Sequence, residues 1–357
     1  MFGDRYLSFL KYVFARAMSW RSRVRDEILN LLKSREGELI PQSYIHRSIN
    51  ASKSRVSEVL KLLEVEGLIS RVRVGNQYLI KLLDVSSSQP KHRLSKLRVG
   101  IVWSSEYPFL TTFAKNLRSE LGVSLEVVTY LSAVQATKAL ALGEVDLALS
   151  PLITQLYFYV TFKTLKVIGG GAYGGSAVMV NPEVGDEVIY SSELSTMDLI
   201  RAIVASEERI HPERTGYFSS PEEALRLASL RKSKYMVVWH PLYRDLMRKG
   251  FKVFVKGEDL DVRYCCTLAA STALPKEFRG RLSRVYTSSL SEYVKNPERW
   301  VVWYSSSVGI PSDIVKSGLS EYRINEVVDE GGVREYVRKS KLAVPDVDLM
   351  LKALETS

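Results

Sequence analysis

Residues 39–83 constrain this 357-residue chain more than any other stretch. Pro41 suits the first turn of a short helix, because proline fixes φ and its missing N–H is not needed there. A second helix is predicted from Lys53, and Gly67 stands where a residue with left-handed backbone would end it. Residues 75–76, a Gly-Asn pair, then suit the tight turn of a hairpin. The order helix, turn, helix and hairpin is therefore predicted for one small domain.

The second predicted helix has one apolar and one polar face. Val56, Val59, Leu60 and Leu63 recur at the spacing of a buried stripe, and Ser52 occupies the N-cap position. Outward side chains on the first turns of such a helix reach base edges, while hairpin arginines reach phosphates or the minor groove. Each such residue taken alone is more often a solvated surface residue. The residues expected to contact DNA are Ser52, Lys53, Ser54, Arg55, Ser57, Glu58, Lys61, Arg71, Arg73 and Asn76.

Residues 50–69 resemble the corresponding segment of winged helix-turn-helix regulators of the MarR and IclR kind. The resemblance covers about 60 residues of the chain. It implies a winged helix-turn-helix domain over residues 21–84, with double-stranded DNA as its partner. It is specific for the fold and says little about the operator sequence.

The positive charge is concentrated in the N-terminal quarter of the chain. The net charge is +10, and residues 1–95 hold 17 Lys and Arg against 9 Asp and Glu. The remaining residues hold 33 and 31, which nearly cancel. A positive field at this end suits phosphate binding, although a basic surface can also serve solubility alone.

Residues 1–20 are predicted to form an additional helix, because aromatic and aliphatic residues recur there at helical spacing. So apolar a stripe packs either on the rest of the chain or on a second copy of itself. The second alternative predicts a homodimer, whose two-fold symmetry would match paired DNA half-sites. Both alternatives remain open at the level of sequence.

The chain is predicted to be cytoplasmic and to have no membrane partner. Lys11 and Arg16 interrupt the apolar run over residues 6–18, which argues against a signal peptide. No stretch approaches the ~20 uncharged apolar residues that cross a bilayer. The two cysteines are adjacent in sequence and offer no disulfide framework of the kind that secreted domains use.

Residues 85–96 are polar and serine-rich without periodicity, which predicts a linker. Beyond the linker, strand-like apolar runs alternate with helical patterns. The predicted strands lie at residues 97–103, 125–130 and 145–149, and the predicted helices at residues 109–121 and 135–142. This alternation predicts an α/β fold with a parallel sheet covered by helices.

The second part of the chain resembles the type II periplasmic solute-binding fold, especially the group that binds sulfonates, nitrate or thiamine precursors. The motifs that carry the resemblance lie at residues 143–148, 193–200, 235–243 and 265–270. The resemblance implies a two-lobed domain over residues 97–357, with parallel or mixed sheets. Lobe 1 would comprise about 97–180 and 265–357, and lobe 2 about 181–264. A DNA-binding domain, and not an export signal, is predicted before this part of the chain. We therefore expect the two-lobed domain to be an effector domain, as in LysR-type regulators, and not to capture solute for a transporter.

The carboxyl ends of the predicted strands carry small or hydrogen-bonding residues, as a pocket for a polar ligand needs. Further positions follow from the resemblance. The residues expected to bind the ligand are Trp103, Ser104, Ser105, Tyr107, Ser132, Gln135, Ser150, Tyr173, Ser195, Thr196, Trp239 and His240.

Other conspicuous residues do not predict catalysis, a cofactor or a metal site. The glycine-rich residues 169–175 lack the Lys-Ser/Thr of a phosphate-binding loop, and we interpret them as a lobe crossing or pocket lining, with a backbone anion site as the alternative. The four histidines are scattered. Cys265 and Cys266 are adjacent in a predicted strand, where alternation would point them to opposite faces and prevent joint chelation.

These features predict a one-component transcription regulator rather than an enzyme. A winged helix would bind operator DNA, and a two-lobed domain would close on a small polar metabolite. Two alternatives stay open: an enzyme of the solute-binding fold with an accessory winged helix, and an architectural DNA-binding protein that has lost its ligand.

Overall fold

The computed structural model describes residues 23–35, 38–65, 68–74, 77–82, 95–185, 188–211, 214–344 and 346–355. The chain forms two compact units, Met1–His92 and Arg93–Ser357. The helix predicted for residues 1–20, Asn76 and residues 85–94 of the predicted linker lie outside the described residues. The side chain of Arg73 does as well.

The first unit contains three helices and a three-stranded antiparallel sheet among its described residues. The elements are α1 (residues 23–33), β1 (Ile40–Pro41), α2 (Gln42–Ser48), α3 (Lys53–Val65), β2 (Ile69–Val74) and β3 (Gln77–Leu82). The strand order is β1-β3-β2. Pro41 belongs to β1 and precedes α2, whereas the sequence predicts it inside the first helical turn.

The helices of this unit follow from the sequence pattern. The Arg55 backbone N–H donates to Ser52 Oγ at 3.4 Å, so Ser52 caps α3 as predicted. The inner face of α3 is fully buried against α1, α2 and the sheet. The core of the unit comprises Val24, Ile28, Leu32, Ile40, Ile45, Ile49, Val56, Val59, Leu60, Leu63, Ile69 and Ile80.

The first lobe of the second unit is built on a six-stranded mixed sheet of order β14-β7-β13-β6-β4-β5. The strands β4, β5 and β6 are parallel, whereas β13, β7 and β14 run antiparallel to their neighbours. The strands are β4 (Lys96–Val102), β5 (Ser124–Tyr130), β6 (Leu147–Pro151), β7 (Leu165–Gly174), β13 (Cys266–Ser271) and β14 (Tyr322–Asn325).

Helices cover this sheet. They are α4 (Leu110–Asn116), α5 (Ala133–Ala141), α6 (Leu152–Phe162), α10 (Lys276–Lys295), α11 (Val301–Val308), α12 (Ser312–Gly318), α13 (Glu330–Lys339) and α14 (Val347–Leu351). A π-helical turn at Leu117–Leu121 extends α4, and a 3-10 turn at Pro297–Trp300 precedes α11. The helix predicted over residues 109–121 is therefore present, with a change of helical type.

The second lobe is built on a five-stranded mixed sheet of order β10-β9-β11-β8-β12. Its elements are β8 (Ser176–Val180), β9 (Ile189–Ser192), α7 (Thr196–Glu207), β10 (Thr215–Phe218), α8 (Pro221–Ser229), β11 (Tyr235–Trp239), α9 (Leu242–Arg248), β12 (Lys252–Lys256) and a 3-10 turn at Gly257–Leu260.

The chain crosses between the lobes at Gly174 and Gly175. Both have positive φ, +83° and +63°, which only glycine adopts without strain. The second sheet therefore begins at Ser176, a few residues before the boundary of about 181 that the resemblance implies. The glycine-rich run belongs to β7 and the crossing, and the Gly170 N–H is already used by the Glu326 carbonyl at 3.2 Å.

Aromatic side chains fix the segment that follows β4. Tyr107 packs edge-to-face on Phe109 with ring centroids 6.0 Å apart, and Phe109 on Tyr286 at 6.1 Å. Tyr107, Phe109 and Tyr286 are buried. This packing holds the turn between β4 and α4, which faces the second lobe.

Among the described residues, none of the helices combines the length and the apolar composition that crossing a bilayer requires.

Candidate functional sites

A small cavity of about 30 Å³ lies where the two lobes of the second unit meet. The first lobe contributes the ends of β4 and β6 and the start of β13, and the second contributes the β9–α7 turn and the end of β11. The lining residues are Val102, Ser104, Glu106, Tyr107, Ala133, Pro151, Ser192, Ser195, Thr196, Met197, Trp239, Cys265 and Cys266. This volume suits an ion, a water or a very small molecule, since pockets for larger ligands have ~300 Å³ or more.

Hydrogen bonds close the two lobes around this cavity. The Trp239 Nε1–H of the second lobe donates to the Trp103 carbonyl of the first at 2.9 Å. The Thr154 hydroxyl of the first lobe donates to the Leu194 carbonyl of the second at 2.6 Å. The cavity is therefore small because the lobes are in contact.

Glu106 is the most unusual residue of the cavity. Its side chain is 95% buried, and Oε1 has no hydrogen-bond partner. Burial raises the pKa of this carboxyl well above its usual range. A buried acid with an unpaired oxygen is costly to keep, and an ion, a water or a small molecule in the cavity would lower that cost.

Two buried free thiols lie beside Glu106. Cys265 Sγ and Cys266 Sγ are 3.7 Å apart, and the Tyr107 hydroxyl donates to Cys266 Sγ at 3.0 Å. Burial raises the pKa of the Cys266 thiol well above its usual range. One carboxylate oxygen and the two sulfurs lie within 4.8 Å of one another, a spacing that could hold a metal ion.

The prediction that the two cysteines point to opposite faces is wrong. Strand β13 begins at Cys266, so Cys265 precedes the regular pleat that enforces alternation. Both sulfurs reach the same cavity. Glu106 was also missed, although its neighbours Ser104, Ser105 and Tyr107 are among the residues expected to bind the ligand.

The residues expected to bind a ligand divide into three groups. Five of them line the cavity: Ser104, Tyr107, Ser195, Thr196 and Trp239. Trp103, Ser105 and His240 lie directly behind the lining, where they bond to one another or to lining residues. The remaining four, Ser132, Gln135, Ser150 and Tyr173, are not part of the lining.

Ser132, Gln135 and Ser150 do not line the cavity because their side chains form hydrogen bonds outside it. Ser132 caps α5 by accepting from the Gln135 backbone N–H at 3.3 Å, and Gln135 Oε1 accepts from the Leu131 N–H at 3.2 Å. Ser150 is fully buried and accepts from the Thr137 hydroxyl at 2.8 Å. Tyr173 packs on the core of the first lobe.

His240 connects the end of β11 with the first lobe. It is fully buried, and Nδ1 lies 2.5 Å from Ser105 Oγ. Gly318 makes this burial possible, because a Cβ there would lie 2.8 Å from Ser105 Oγ and 2.9 Å from His240 Nδ1. Desolvation, with a smaller contribution from Arg244, lowers the pKa of His240 to about 4. The imidazole is therefore neutral at pH 7.

Acidification from pH 7 to pH 5 is expected to destabilise the protein by about 2 kcal/mol through His240. The unfolded chain protonates this histidine below its ordinary pKa of about 6.5, whereas the folded state resists protonation until about 4. Stability is therefore lost as pH falls between these values. Urea denaturation at both pH values should show a weaker pH dependence for His240→Asn than for the parent protein. The exposed His211→Asn is the matched control, and an unchanged slope in His240→Asn would contradict the assignment.

A larger cavity of about 280 Å³ lies elsewhere in the second unit, lined by residues of α7, α13 and the segment between β12 and β13. Four of its charged groups form ion pairs: Lys339 Nζ lies 2.5 Å from Asp261 and 2.9 Å from Glu335, and Arg263 Nε lies 2.6 Å from Asp261. The smaller cavity, with its unpaired carboxyl oxygen, is the better candidate for a specific ligand.

In the first unit, α3 presents an exposed polar face. Ser52, Lys53, Ser54, Arg55 and Lys61 are exposed, opposite the buried stripe of the same helix. Glu58 is half-buried.

Ser57 differs from the prediction that it faces outward. It is half-buried, and its hydroxyl accepts from Gln42 Nε2 at 3.0 Å and lies 3.2 Å from His46 Nε2. It therefore joins α3 to α2 instead of extending from the surface.

Arg71 was expected to reach phosphates, but its side chain is only 9% exposed. Its Nη1 donates to Glu64 Oε2 at 3.1 Å and its Nη2 to Gln42 Oε1 at 3.1 Å. The guanidinium also stacks over the Tyr78 ring, 4.6 Å from the centroid. Because both of its terminal nitrogens donate inside the unit, Arg71 holds β2 on α2 and α3.

Three solved structures that are distant in sequence resemble the two-lobed unit. The ligand-binding component of an ABC-type import system from Staphylococcus aureus, with zinc bound, is 18% identical, with a TM-score of 0.58 over 73% of this chain and 100% of that one. The periplasmic aliphatic sulphonate-binding protein SsuA of Escherichia coli is 15% identical, with a TM-score of 0.55 over 69% and 90%. The alkanesulfonate-binding protein SsuA of Xanthomonas axonopodis pv. citri, bound to MOPS, is 14% identical, with a TM-score of 0.58 over 73% and 98%. The two-lobed unit has a type II periplasmic-binding-protein-like fold.

This fold confirms the architecture that the resemblance implied for the second part of the chain. At these identities the likeness concerns the fold alone. Residues 23–83 match a family model described as "Domain of unknown function (DUF7343)". A comparison with curated protein sequences finds no match.

Proposed function

We propose that the protein is a cytoplasmic one-component transcription regulator. Its first unit is a winged helix that binds operator DNA, and its two-lobed unit binds a small effector in the cleft. The element order α1, β1, α2, α3, β2, β3 supports the winged-helix assignment. The observation that carries the proposal is the exposed basic face of α3.

The physics of α3 favours DNA over a protein partner. An exposed helix face that pairs lysines with serines provides phosphate contacts and hydrogen bonds but no apolar anchor. A protein–protein interface would need buried aromatic or aliphatic side chains at its centre. The excess of 17 basic over 9 acidic residues in the first 95 adds a long-range attraction to phosphates.

The two-lobed unit supplies the response to a ligand. Its solved neighbours are described as ligand-binding, sulphonate-binding or alkanesulfonate-binding proteins, which supports a small-molecule effector and a binding function rather than catalysis. Closure around the effector can change DNA affinity only as far as the ligand prefers one state, typically ~1–3 kcal/mol. We also propose a homodimer on paired half-sites, to be checked by analytical ultracentrifugation with and without operator DNA.

Replacing Lys53 and Lys61 together with alanine is expected to weaken DNA binding. The first measurement is selection of binding sites from a random pool of duplex DNA by the full-length protein, followed by fluorescence anisotropy on the selected site. Loss of two phosphate contacts per chain should reduce the slope of log K against log salt by about 2 for each bound chain, or about 4 for the proposed homodimer. Affinity at fixed salt should fall for every sequence.

Lys138→Ala with Lys316→Ala is the matched control, because it removes the same charge from exposed positions of the second unit. That variant should bind DNA as the parent does. Equal losses in both double variants would mean that only net charge matters. Failure of the parent to select any sequence would contradict the proposed function.

A further inference from the structure

We propose that the cleft binds a thiophilic divalent metal ion of the Zn²⁺ type through Glu106, Cys265 and Cys266. The inference deepens the proposed function, and it rests on that function only in treating the ion as the effector. The site itself stands on the geometry of the second unit.

The distance between the two sulfurs fits a shared ion. Two thiolates at the usual Zn–S distance on a tetrahedral ion lie about 3.8 Å apart, and the two Sγ atoms are 3.7 Å apart. A carboxylate oxygen of Glu106 lies within 4.8 Å of both sulfurs. Little movement would therefore be needed to bring three ligand atoms onto one ion.

The unpaired carboxyl oxygen indicates the charge of the ligand. Glu106 Oε1 is buried in the cavity without a hydrogen-bond partner, and a cation bound by the ionised carboxylate would satisfy it. The adjacent thiols favour a soft ion over Mg²⁺ or Ca²⁺, which prefer oxygen ligands. A cavity of about 30 Å³ also suits an ion better than an organic cation.

The surroundings supply the interactions that metal ligands usually have. The Tyr107 hydroxyl donates to Cys266 Sγ at 3.0 Å, which would orient and stabilise a thiolate. The Thr196 hydroxyl lines the same cavity. Three protein ligands leave a fourth position for this hydroxyl, a water or a small molecule.

The three proposed ligands lie on the first lobe, so an ion that also bound the second lobe would hold the cleft closed. Glu106 and both cysteines belong to the first lobe, whereas Thr196 and Met197, which begin α7, belong to the second. A fourth ligand from α7 would tie the lobes together. The ion would then favour the closed cleft by its differential affinity for that state.

Titration of the metal-free, reduced full-length protein with Co²⁺ under anaerobic conditions tests the site. We expect one Co²⁺ per chain, a thiolate-to-cobalt charge-transfer absorption in the near ultraviolet, and displacement by Zn²⁺. Cys265→Ser and Cys266→Ser should each lower Co²⁺ affinity at least about 100-fold. The exposed Glu144→Gln should bind as the parent does.

Zinc X-ray absorption on the parent protein keeps the test independent of whether the variants fold. It should show Zn–S distances of about 2.3 Å with two sulfurs per zinc. Zinc bound only through oxygen and nitrogen, or Co²⁺ binding that survives both cysteine substitutions, would overturn the proposal, and so would the absence of stoichiometric binding.

The failure of this inference and that of the proposed function give different results. Metal binding is measured without DNA, and operator selection is measured both with and without Zn²⁺. Sequence-specific DNA binding with no thiolate-bound metal would refute only the site. A thiolate-bound metal in a protein that selects no DNA would refute only the regulator.

Discussion

Replacing Gly171 with alanine is expected to lower the free energy of unfolding of the two-lobed unit by about 4 kcal/mol or more. A Cβ at this position would lie 2.0 Å from the carbonyl oxygen of Cys266. Both groups belong to backbone within a hydrogen-bonded sheet, so no side-chain rotation can relieve the contact. Gly170 is equally constrained, because its added Cβ would lie 1.8 Å from the Asn325 carbonyl oxygen.

Urea denaturation followed by circular dichroism measures the effect, with Gly280→Ala as the matched control. Gly280 lies in α10, and the nearest atom to its added Cβ is 3.9 Å away. Its replacement should raise stability by up to about 1 kcal/mol, because alanine favours a helix over glycine. If Gly171→Ala were as stable as the parent, β7 could move away from β13, and the packing described for this sheet would be wrong.

The glycines of β7 also matter for the cleft. They allow β7 to approach β13 closely, with Thr267 opposite Gly171 and Cys266 opposite Ala172. The position of Cys266 in the cavity therefore depends on how closely the backbones of β7 and β13 pack. A partly folded Gly171 variant should lose metal binding together with its stability.

The fold was largely predictable because its signals are local. The N-cap Ser52 contacts a backbone N–H only three residues away. The buried stripe of α3 repeats every three or four residues, at Val56, Val59, Leu60 and Leu63. The strands β4 and β6, which end at the cavity, were likewise predictable from their apolar runs. The glycine-rich run at residues 169–175 likewise indicated the crossing at Gly174. The π-helical end of α4 depends on packing between distant segments, and no local pattern marks it.

The candidate site was less predictable because it depends on contacts between elements far apart in sequence. Glu106 lies in a cavity that both lobes line, whereas a carboxylate at a strand end taken alone suggests an exposed residue. The sequence placed the two cysteines on opposite faces because side chains alternate along a strand. Cys265 does not follow this alternation, because it precedes the strand. Ser132 pointed to the correct edge of the sheet, but its hydroxyl is used to cap α5.

The surface of the first unit was also hard to predict where it depends on contacts between residues far apart in sequence. Arg71 has the side chain and the position of a phosphate contact, yet its two terminal nitrogens donate to Glu64 and Gln42. Gln42 precedes Arg71 by 29 residues, so their contact cannot be read from periodicity. The exposed residues of α3 were predictable because a helix with a buried stripe must expose its other face.

Replacing Glu106 with methionine is expected to raise the free energy of unfolding at neutral pH by about 1–3 kcal/mol. The variant removes a buried acid with an unpaired oxygen and fills its space with an apolar chain of similar length. In metal-free buffer, urea denaturation should therefore show a more stable protein. The same variant should lose Co²⁺ affinity at least about 100-fold, because one of three ligands is gone.

Opposite changes in stability and binding would separate a binding site from a structural cluster. A residue retained for packing loses stability when replaced, whereas one retained for a ligand can gain stability as it loses function. Glu144→Met, at an exposed position, should change stability by no more than about 0.5 kcal/mol. If Glu106→Met were instead destabilised, the carboxyl would have a structural partner, and the cluster of Glu106 and the two cysteines would serve the fold rather than a ligand.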